Sequence, residues 1–232
     1  MTKSEYKPLM SQDEIEKRRS WQEEVYKNLS KTKKKETVRV LGTEFVILPG
    51  MFAPRWMDSS LLAEVIKENI LKDQSVLDLG TGSGIQGIFA AQQGARVIAV
   101  DINPESLKCA KENALKHNIQ NLIKYRESDL FTNITEKFDA ILFNPPFRWF
   151  KPRDVLERGE LDENYKTLSK FFKQAKDYLN PNGLILLVFS DSGDIKYLEQ
   201  LINTNGYNFK ILKSQKAETG WSYFVYEIKH ST

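Results

Sequence analysis

From residue 75 onward the chain alternates short apolar runs with stretches of helical periodicity. Runs at 76–79, 97–100, 123–125, 140–143 and 184–189 are rich in Val, Ile, Leu and Phe. Between them, 84–93, 104–117, 161–179 and 195–204 read as helices. Strands that are apolar on both faces, with helices between them, predict a parallel sheet covered on both sides and right-handed crossovers. The runs at 209–212 and 222–228 have no helix between them and predict an antiparallel pair at one edge. The fold class is therefore α/β: a doubly wound, mostly parallel seven-stranded sheet closed by a C-terminal antiparallel hairpin.

The pattern before residue 75 is different. Ser11 and Glu14 form a capping box, in which hydroxyl and carboxylate satisfy free N–H groups at a helix start. Trp21, Val25 and Leu29 then make one narrow apolar stripe on an otherwise charged helix, which must pack onto something else. Two β-rich runs, 37–41 and 44–48, flank Gly42-Thr43, a two-residue hairpin signal. Pro49-Gly50 breaks the chain, and a helix is expected over 59–71. The organisation expected is an extension of helix and hairpin over residues 1–55 and a main domain over 56–232.

Composition narrows the class. At 232 residues and 41% hydrophobic, the chain can bury a sizeable core. Its longest apolar run is six residues, at 184–189, against the ~20 that cross a bilayer. The first twenty residues contain no apolar signal region. The one cysteine, Cys109, forbids an internal disulfide, and with only His117 and His230 beside it no thiolate or histidine metal site is expected. These counts point to a soluble cytoplasmic protein without a membrane or metal partner. Charge is uneven: residues 1–40 hold 11 Lys/Arg against 7 Asp/Glu, the rest 23 against 24. The run Lys31-Thr32-Lys33-Lys34-Lys35 suits either a solvated helix end or contact with phosphates or an acidic partner. Residues 1–40 are expected to serve a macromolecular substrate and not a cofactor.

The strongest local signal follows the first buried strand: Asp78-Leu-Gly80-Thr81-Gly82-Ser-Gly84-Ile-Gln-Gly87. Glycines let a backbone turn sharply and bring its N–H groups up to a ligand. The next strand ends in Asp101, placed to grip ribose hydroxyls. Gly82-x-Gly84-x-x-Gly87 also satisfies a dinucleotide fingerprint, which keeps a nicotinamide oxidoreductase open. Against that reading, Gly80 already ends the strand, and the chain has no Tyr-x-x-x-Lys proton relay. The order Asp78, Gly80, Gly82, Gly84, Asp101 resembles the motifs of class I S-adenosylmethionine-dependent methyltransferases, over about residues 45–228. The resemblance implies a Rossmann-like fold and S-adenosyl-L-methionine as cofactor. It puts Asp78, Gly80, Thr81, Gly82 and Gly84 beside the methionine part, Asp101 on the ribose and Ile102 against the adenine. Asp129 and Leu130 would meet the adenine edge.

After the fourth strand comes Asn144-Pro145-Pro146-Phe147, at the strand end where open α/β sheets bind ligands. A planar amide or aryl amine is a poor nucleophile because its lone pair is delocalised. The Asn144 side-chain oxygen and the Pro145 carbonyl can each accept one N–H, aim the lone pair and favour pyramidalisation. Two prolines stiffen the loop, and Phe147 can stack on a planar substrate. The plainer reading of Asn-Pro-Pro is strand-ending punctuation. The motif resembles that of methyltransferases acting on glutamine amides or exocyclic base amines, the release-factor glutamine methyltransferases among them. Those enzymes carry a longer helical amino-terminal domain. Pyrimidine C-methylation needs a thiolate on a Pro-Cys loop, whereas Cys109 falls inside the helix expected over 104–117. Residues Leu48, Phe52 and Pro54 resemble the stretch that covers the cofactor in these enzymes. Arg148, Trp149, Phe150, Lys151, Arg153 and Arg158 follow; they suit a stacked nucleobase with its phosphates, a peptide groove, or a surface loop with its aromatics packed inward. A protein glutamine ranks first as substrate, a nucleobase amine in RNA or DNA second and a small metabolite third. A catalytically silent cofactor-binding subunit is a further alternative, which the intact Asn144 loop argues against.

Overall fold

The computed structural model describes residues 6–29, 34–49, 51, 57–154 and 157–231; Phe52 and Pro54 fall outside them, as do Lys31 and Lys33. The chain enters α1 (Gln12–Leu29) through the expected cap: the Ser11 N–H donates to Glu14 Oε2 at 2.9 Å, and the Glu14 N–H donates to Ser11 Oγ at 3.3 Å. Strands β1 (Glu36–Val40) and β2 (Thr43–Ile47) form an antiparallel hairpin. Its turn is Leu41-Gly42, with φ of 48° and 80°, one residue earlier than Gly42-Thr43. Two successive left-handed residues match the twist of a two-residue hairpin, which is what the glycine permits here.

The main body runs α2 (Met57–Asn69), β3 (Ser75–Leu79), α3 (Ile85–Gln92), β4 (Arg96–Asp101), α4 (Pro104–Lys116), β5 (Ile123–Glu127) and β6 (Phe138–Phe143). It continues through α5 (Lys166–Gln174), β7 (Leu179–Ser190), α6 (Ile195–Thr204), β8 (Tyr207–Lys216) and β9 (Ser222–His230). Seven strands make one sheet in the order β5-β4-β3-β6-β7-β9-β8. The first five of these are parallel, and β9 runs antiparallel to both β7 and β8. The sheet is thus the doubly wound, seven-stranded one expected. Side chains alternate between its faces: Val76 joins the cluster that includes Leu61, Ile88 and Phe89, whereas Leu77 and Leu79 join Phe171, Phe172 and Leu198. Phe45 of the hairpin lies in the first of these clusters. Asn113 of α4 stitches the hairpin down, accepting the Val46 N–H at 2.7 Å and donating to the Val46 carbonyl at 2.8 Å.

One expected helix is much shorter than its apolar spacing suggests. Of 161–179, only Lys166–Gln174 is α-helix, followed by a tighter turn and then β7. Asn164 and Tyr165 have φ of 55° and 51°, incompatible with helix. The Asp162 carboxylate takes over as cap, accepting the Thr167 and Leu168 N–H groups at 2.9 and 2.8 Å. Cys109 is buried against Ile47 and Met51, its thiol donating to the Val46 carbonyl. Among the described residues, no helix is long and apolar enough to cross a membrane.

Candidate active site

The order of the strands switches sides between the parallel neighbours β3 and β6: β4 and β5 lie to one side, β7 to the other. Such a switch point opens a crevice at the carboxyl ends of the strands. Here the crevice has a volume of about 660 Å³ and two distinct ends.

The first end is built by the turn from β3 into α3. The Thr81 N–H continues the sheet by donating to the Val100 carbonyl at 2.9 Å, and the Gly84 N–H closes the turn on the Thr81 carbonyl at 2.8 Å. Gly80, Gly82 and Gly84 have φ of 68°, 53° and 87°, a region closed to most side chains. A Cβ on Gly84 would sit 3.0 Å from Ala110, so that glycine also lets α3 approach α4. Gly80, Thr81 and Gly82 line the crevice, while Asp78 and Gly84 stand behind its wall. Asp78 holds the turn from inside: its Oδ2 accepts the Thr81 hydroxyl at 2.5 Å and the Gly87 N–H at 2.9 Å. Burial pushes its carboxyl up to about 6. Gly87, third glycine of the dinucleotide fingerprint, is needed for that contact, since a Cβ there would lie 2.8 Å from the carboxylate.

Asp101 ends β4 on the crevice. One carboxylate oxygen accepts the Gly82 N–H at 3.0 Å and the other the Asn103 N–H at 2.9 Å, which points the carboxylate across the glycine loop. Burial raises its pKa, against those hydrogen bonds. Ile102 beside it is 65% exposed, an apolar side chain left at the rim. Leu130 is buried, and Asp129 at the rim shares an ion pair with Lys170 at 2.9 Å. A tight glycine turn, a carboxylate at the crevice and an exposed apolar shelf fit a nucleoside joined to an amino acid.

The second end lies past β6. Asn144, Pro145, Pro146 and Phe147 all line the crevice. Phe147 is held edge-on by Phe189 at 5.3 Å and Tyr223 at 6.1 Å. Its carbonyl accepts the Tyr165 hydroxyl at 2.7 Å, and that hydroxyl accepts the Asp194 N–H at 2.8 Å. Gly193 presses so closely that a Cβ would fall 2.0 Å from the Phe147 carbonyl oxygen. The Asn144 side-chain NH₂ donates to Asp58 Oδ2 at 2.7 Å. Asp58 is 3% exposed, and burial raises its pKa.

Of the basic and aromatic segment after Phe147, Arg148 and Trp149 turn inward, whereas Lys151, Arg153 and Arg158 are exposed. Arg148 is 3% exposed. Its guanidinium is ion-paired with Glu160, donates from Nε to Gln22 Oε1 at 2.9 Å and reaches Ser192 Oγ at 3.4 Å. Gln22, from α1, also donates to Glu157 at 3.1 Å. Arg153 pairs with Glu157 and Glu23 at 2.6 and 3.0 Å. Trp149 is buried against Tyr6, Phe150 and Tyr165. Lys151 and Arg158 remain exposed. The helix α1 is part of this wall, with Trp21 and Val25 lining the crevice. Burial pushes the Glu160 carboxyl up to about 7, with Arg148 pulling it back.

Sequence reasoning missed Asp58, Glu160 and Gln22. Asp58 sits in Met-Asp-Ser-Ser at the start of α2, where an aspartate reads as an ordinary helix cap. Gln22 lies on the polar flank of the Trp21–Val25 stripe, with nothing local to mark it.

Residues 42–216 match the sequence profile of the family described as Methyltransferase small domain. A Methanocaldococcus jannaschii protein named for protein N5-glutamine methyltransferase activity is 34% identical over 163 residues, covering 66% of this chain and 79% of that one. A Streptococcus pneumoniae release factor glutamine methyltransferase is 32% identical over 145 residues, covering 60% of this chain and 51% of the relative. The chain thus spans about half the length of that enzyme. The solved T. thermophilus 16S rRNA N2 G1207 methyltransferase, in complex with AdoMet and guanosine, superposes with a TM-score of 0.63 at 25% identity, covering 86% of this chain and 50% of the other.

Proposed function

The chain belongs to the Methyltransferase small domain family, S-adenosylmethionine-dependent enzymes, and from that premise we propose that it methylates a planar amide nitrogen of a protein, a glutamine side chain first. The cofactor supplies a methyl group activated by its sulfonium. In this reading the turn of Gly80, Thr81 and Gly82, which lines the crevice, would hold its methionine part and Asp101 its ribose hydroxyls. Ile102 covers the adenine, whose edge meets Leu130 and Asp129, the latter sharing its carboxylate with Lys170. Asp78 and Gly84 act from behind, by holding the loop in shape.

At the other end, Asn144 Oδ1 and the Pro145 carbonyl accept the two N–H groups of the substrate amide. Neither proline has an N–H to compete for those acceptors. Accepting both protons turns the nitrogen lone pair toward the methyl donor, an interaction that strengthens as the nitrogen pyramidalises. Phe147 packs against the flat amide.

The observation that carries the protein reading is the Arg148–Glu160 ion pair. The cation nearest the reaction loop is buried and neutralised, and Asp58 stands beside it. A neutral side-chain amide enters such a wall without charge repulsion, whereas a nucleotide brings a phosphate toward carboxylates. The second reading, an exocyclic base amine, is favoured by Arg158, which lines the crevice and stays exposed. Transfer of a tritiated methyl group to separate protein and RNA fractions of the same cells decides between them. Label in a protein band, recovered as N5-methylglutamine after enzymatic digestion, is the expected result. Label in RNA alone overturns the amide assignment in favour of the base amine.

A further inference from the structure

We infer that Asp58 is a positioning residue for methyl transfer: it fixes which end of the Asn144 carboxamide looks into the crevice. The inference deepens the amide reading above and rests on it.

A carboxamide has a donor end and an acceptor end of nearly equal size, so packing alone does not choose between them. The Asn144 NH₂ donates to Asp58 Oδ2 at 2.7 Å. Oδ2 accepts here whether or not the other carboxyl oxygen carries a proton, so this partner selects the NH₂ and turns the amide oxygen the other way, toward the crevice that Asn144 lines. Without it the amide is free to turn over about its last torsion. A turned amide presents N–H to a substrate N–H, and the acceptor is lost.

The surroundings suit that duty better than the duty of a helix cap. Asp58 is buried, and among the described residues its second oxygen, Oδ1, finds no hydrogen-bond partner. Burying a carboxyl oxygen without a hydrogen-bond partner is costly, and Asp58, the second residue of α2, lies inside the helix and not at its cap. The adjacent Ser59 carbonyl receives the Gln86 side-chain NH₂ at 3.1 Å. Gln86 stands on the first turn of α3, directly after the cofactor loop. Asp58 therefore hangs the acceptor atom of one loop from the same scaffold that carries the other.

The test uses the full chain and has two arms. In the first, ¹⁵N-labelled protein gives the side-chain NH₂ resonances of Asn144, assigned by their loss in Asn144→Ala. The expected result is a downfield, exchange-protected N–H in the wild type that moves to the free-amide region in Asp58→Ala. An unmoved resonance overturns the pairing. In the second arm, single-turnover methyl transfer is measured for Asp58→Ala, Asn144→Ala and the double variant at saturating cofactor. Asp58→Ala should slow transfer by roughly 10- to 100-fold with cofactor affinity within twofold of wild type, and the double variant should be no slower than Asn144→Ala alone. Additive losses, or a drop in cofactor affinity, would show a separate role for Asp58 and overturn the inference. If Asp58→Ala does not fold, Asp58→Asn keeps the shape but can pair with either end of the amide. It should be slowed about tenfold, and a wild-type rate would overturn the inference. A wild type that methylates RNA and not protein sinks only the amide reading. The same cycle is then run on RNA, because a base amine needs the same acceptor.

Discussion

The two ends of the crevice are made in different ways. The cofactor end is local: Asp78 holds Thr81 and Gly87, and Asp101 holds Gly82, all within one strand–helix–strand unit. It works through backbone N–H groups and glycine torsions. The acceptor end is assembled across the chain. Asn144 meets Asp58, 86 residues away, and Arg148 meets Gln22, 126 residues away. It works through buried charge. The first kind of site tolerates change in the rest of the fold, whereas the second depends on the fold being complete.

Breaking the buried charge network should have the largest effect. Arg148→Ala leaves Glu160 buried without its partner and should cost about 3–5 kcal/mol of stability, read by urea unfolding. A loss under about 1 kcal/mol would mean that the network is not what holds the acceptor end together. Next comes chemistry without loss of fold. Asn144→Ala should lower single-turnover transfer by roughly 10²–10³, as for one preorganised polar group, with cofactor affinity unchanged by calorimetry. Near-normal turnover would reduce the Asn-Pro-Pro loop to a strand terminator.

At the local end, Asp101→Ala should weaken cofactor binding by about 1.5–3 kcal/mol, the range for hydrogen bonds to a charged group, and leave the fold intact. Calorimetry with S-adenosylmethionine and with NAD in parallel also closes the nicotinamide alternative. The smallest effect is a pH slope. Burial raises Asp78 from 3.8 to about 6, so the folded chain keeps a proton that the unfolded chain has released. That stabilisation is complete below about pH 4 and is lost as pH rises through about 6. Asp78→Asn can still accept from Thr81 and Gly87 but has no proton to lose. Its unfolding free energy should lack a decline on the order of 1–2 kcal/mol between those pH values, measured against wild type.

The same division explains what a single sequence discloses. The seven main strands are legible because each is an apolar run bounded by turn residues, and the Ser11–Glu14 cap because its two partners are three residues apart. The glycine loop is legible because its meaning lies in its own torsions. The stretch over 161–179 misleads: Leu161, Tyr165, Leu168 and Phe172 are all buried at helical spacing, yet the first two belong to a loop. There the Asp162 and Asn164 N–H groups donate to the carbonyls of Arg148 and Trp149 at 2.9 and 3.0 Å, and tertiary pairing overrides local periodicity. Arg148 misleads in the same way. A basic and aromatic run looks like a binding surface until Glu160 and Gln22 are brought to it from elsewhere.

The clamp on Phe147 ties distant parts of the chain into one unit of exchange with solvent. Tyr6 donates to Asp194 Oδ2 at 2.7 Å, the Asp194 N–H donates to the Tyr165 hydroxyl, and that hydroxyl donates to the Phe147 carbonyl. The Asp194 amide proton can therefore reach water only when the Tyr165 hydroxyl lets go of it. Slow exchange of that proton is the expected sign that the clamp on the loop carrying Asn144 is closed.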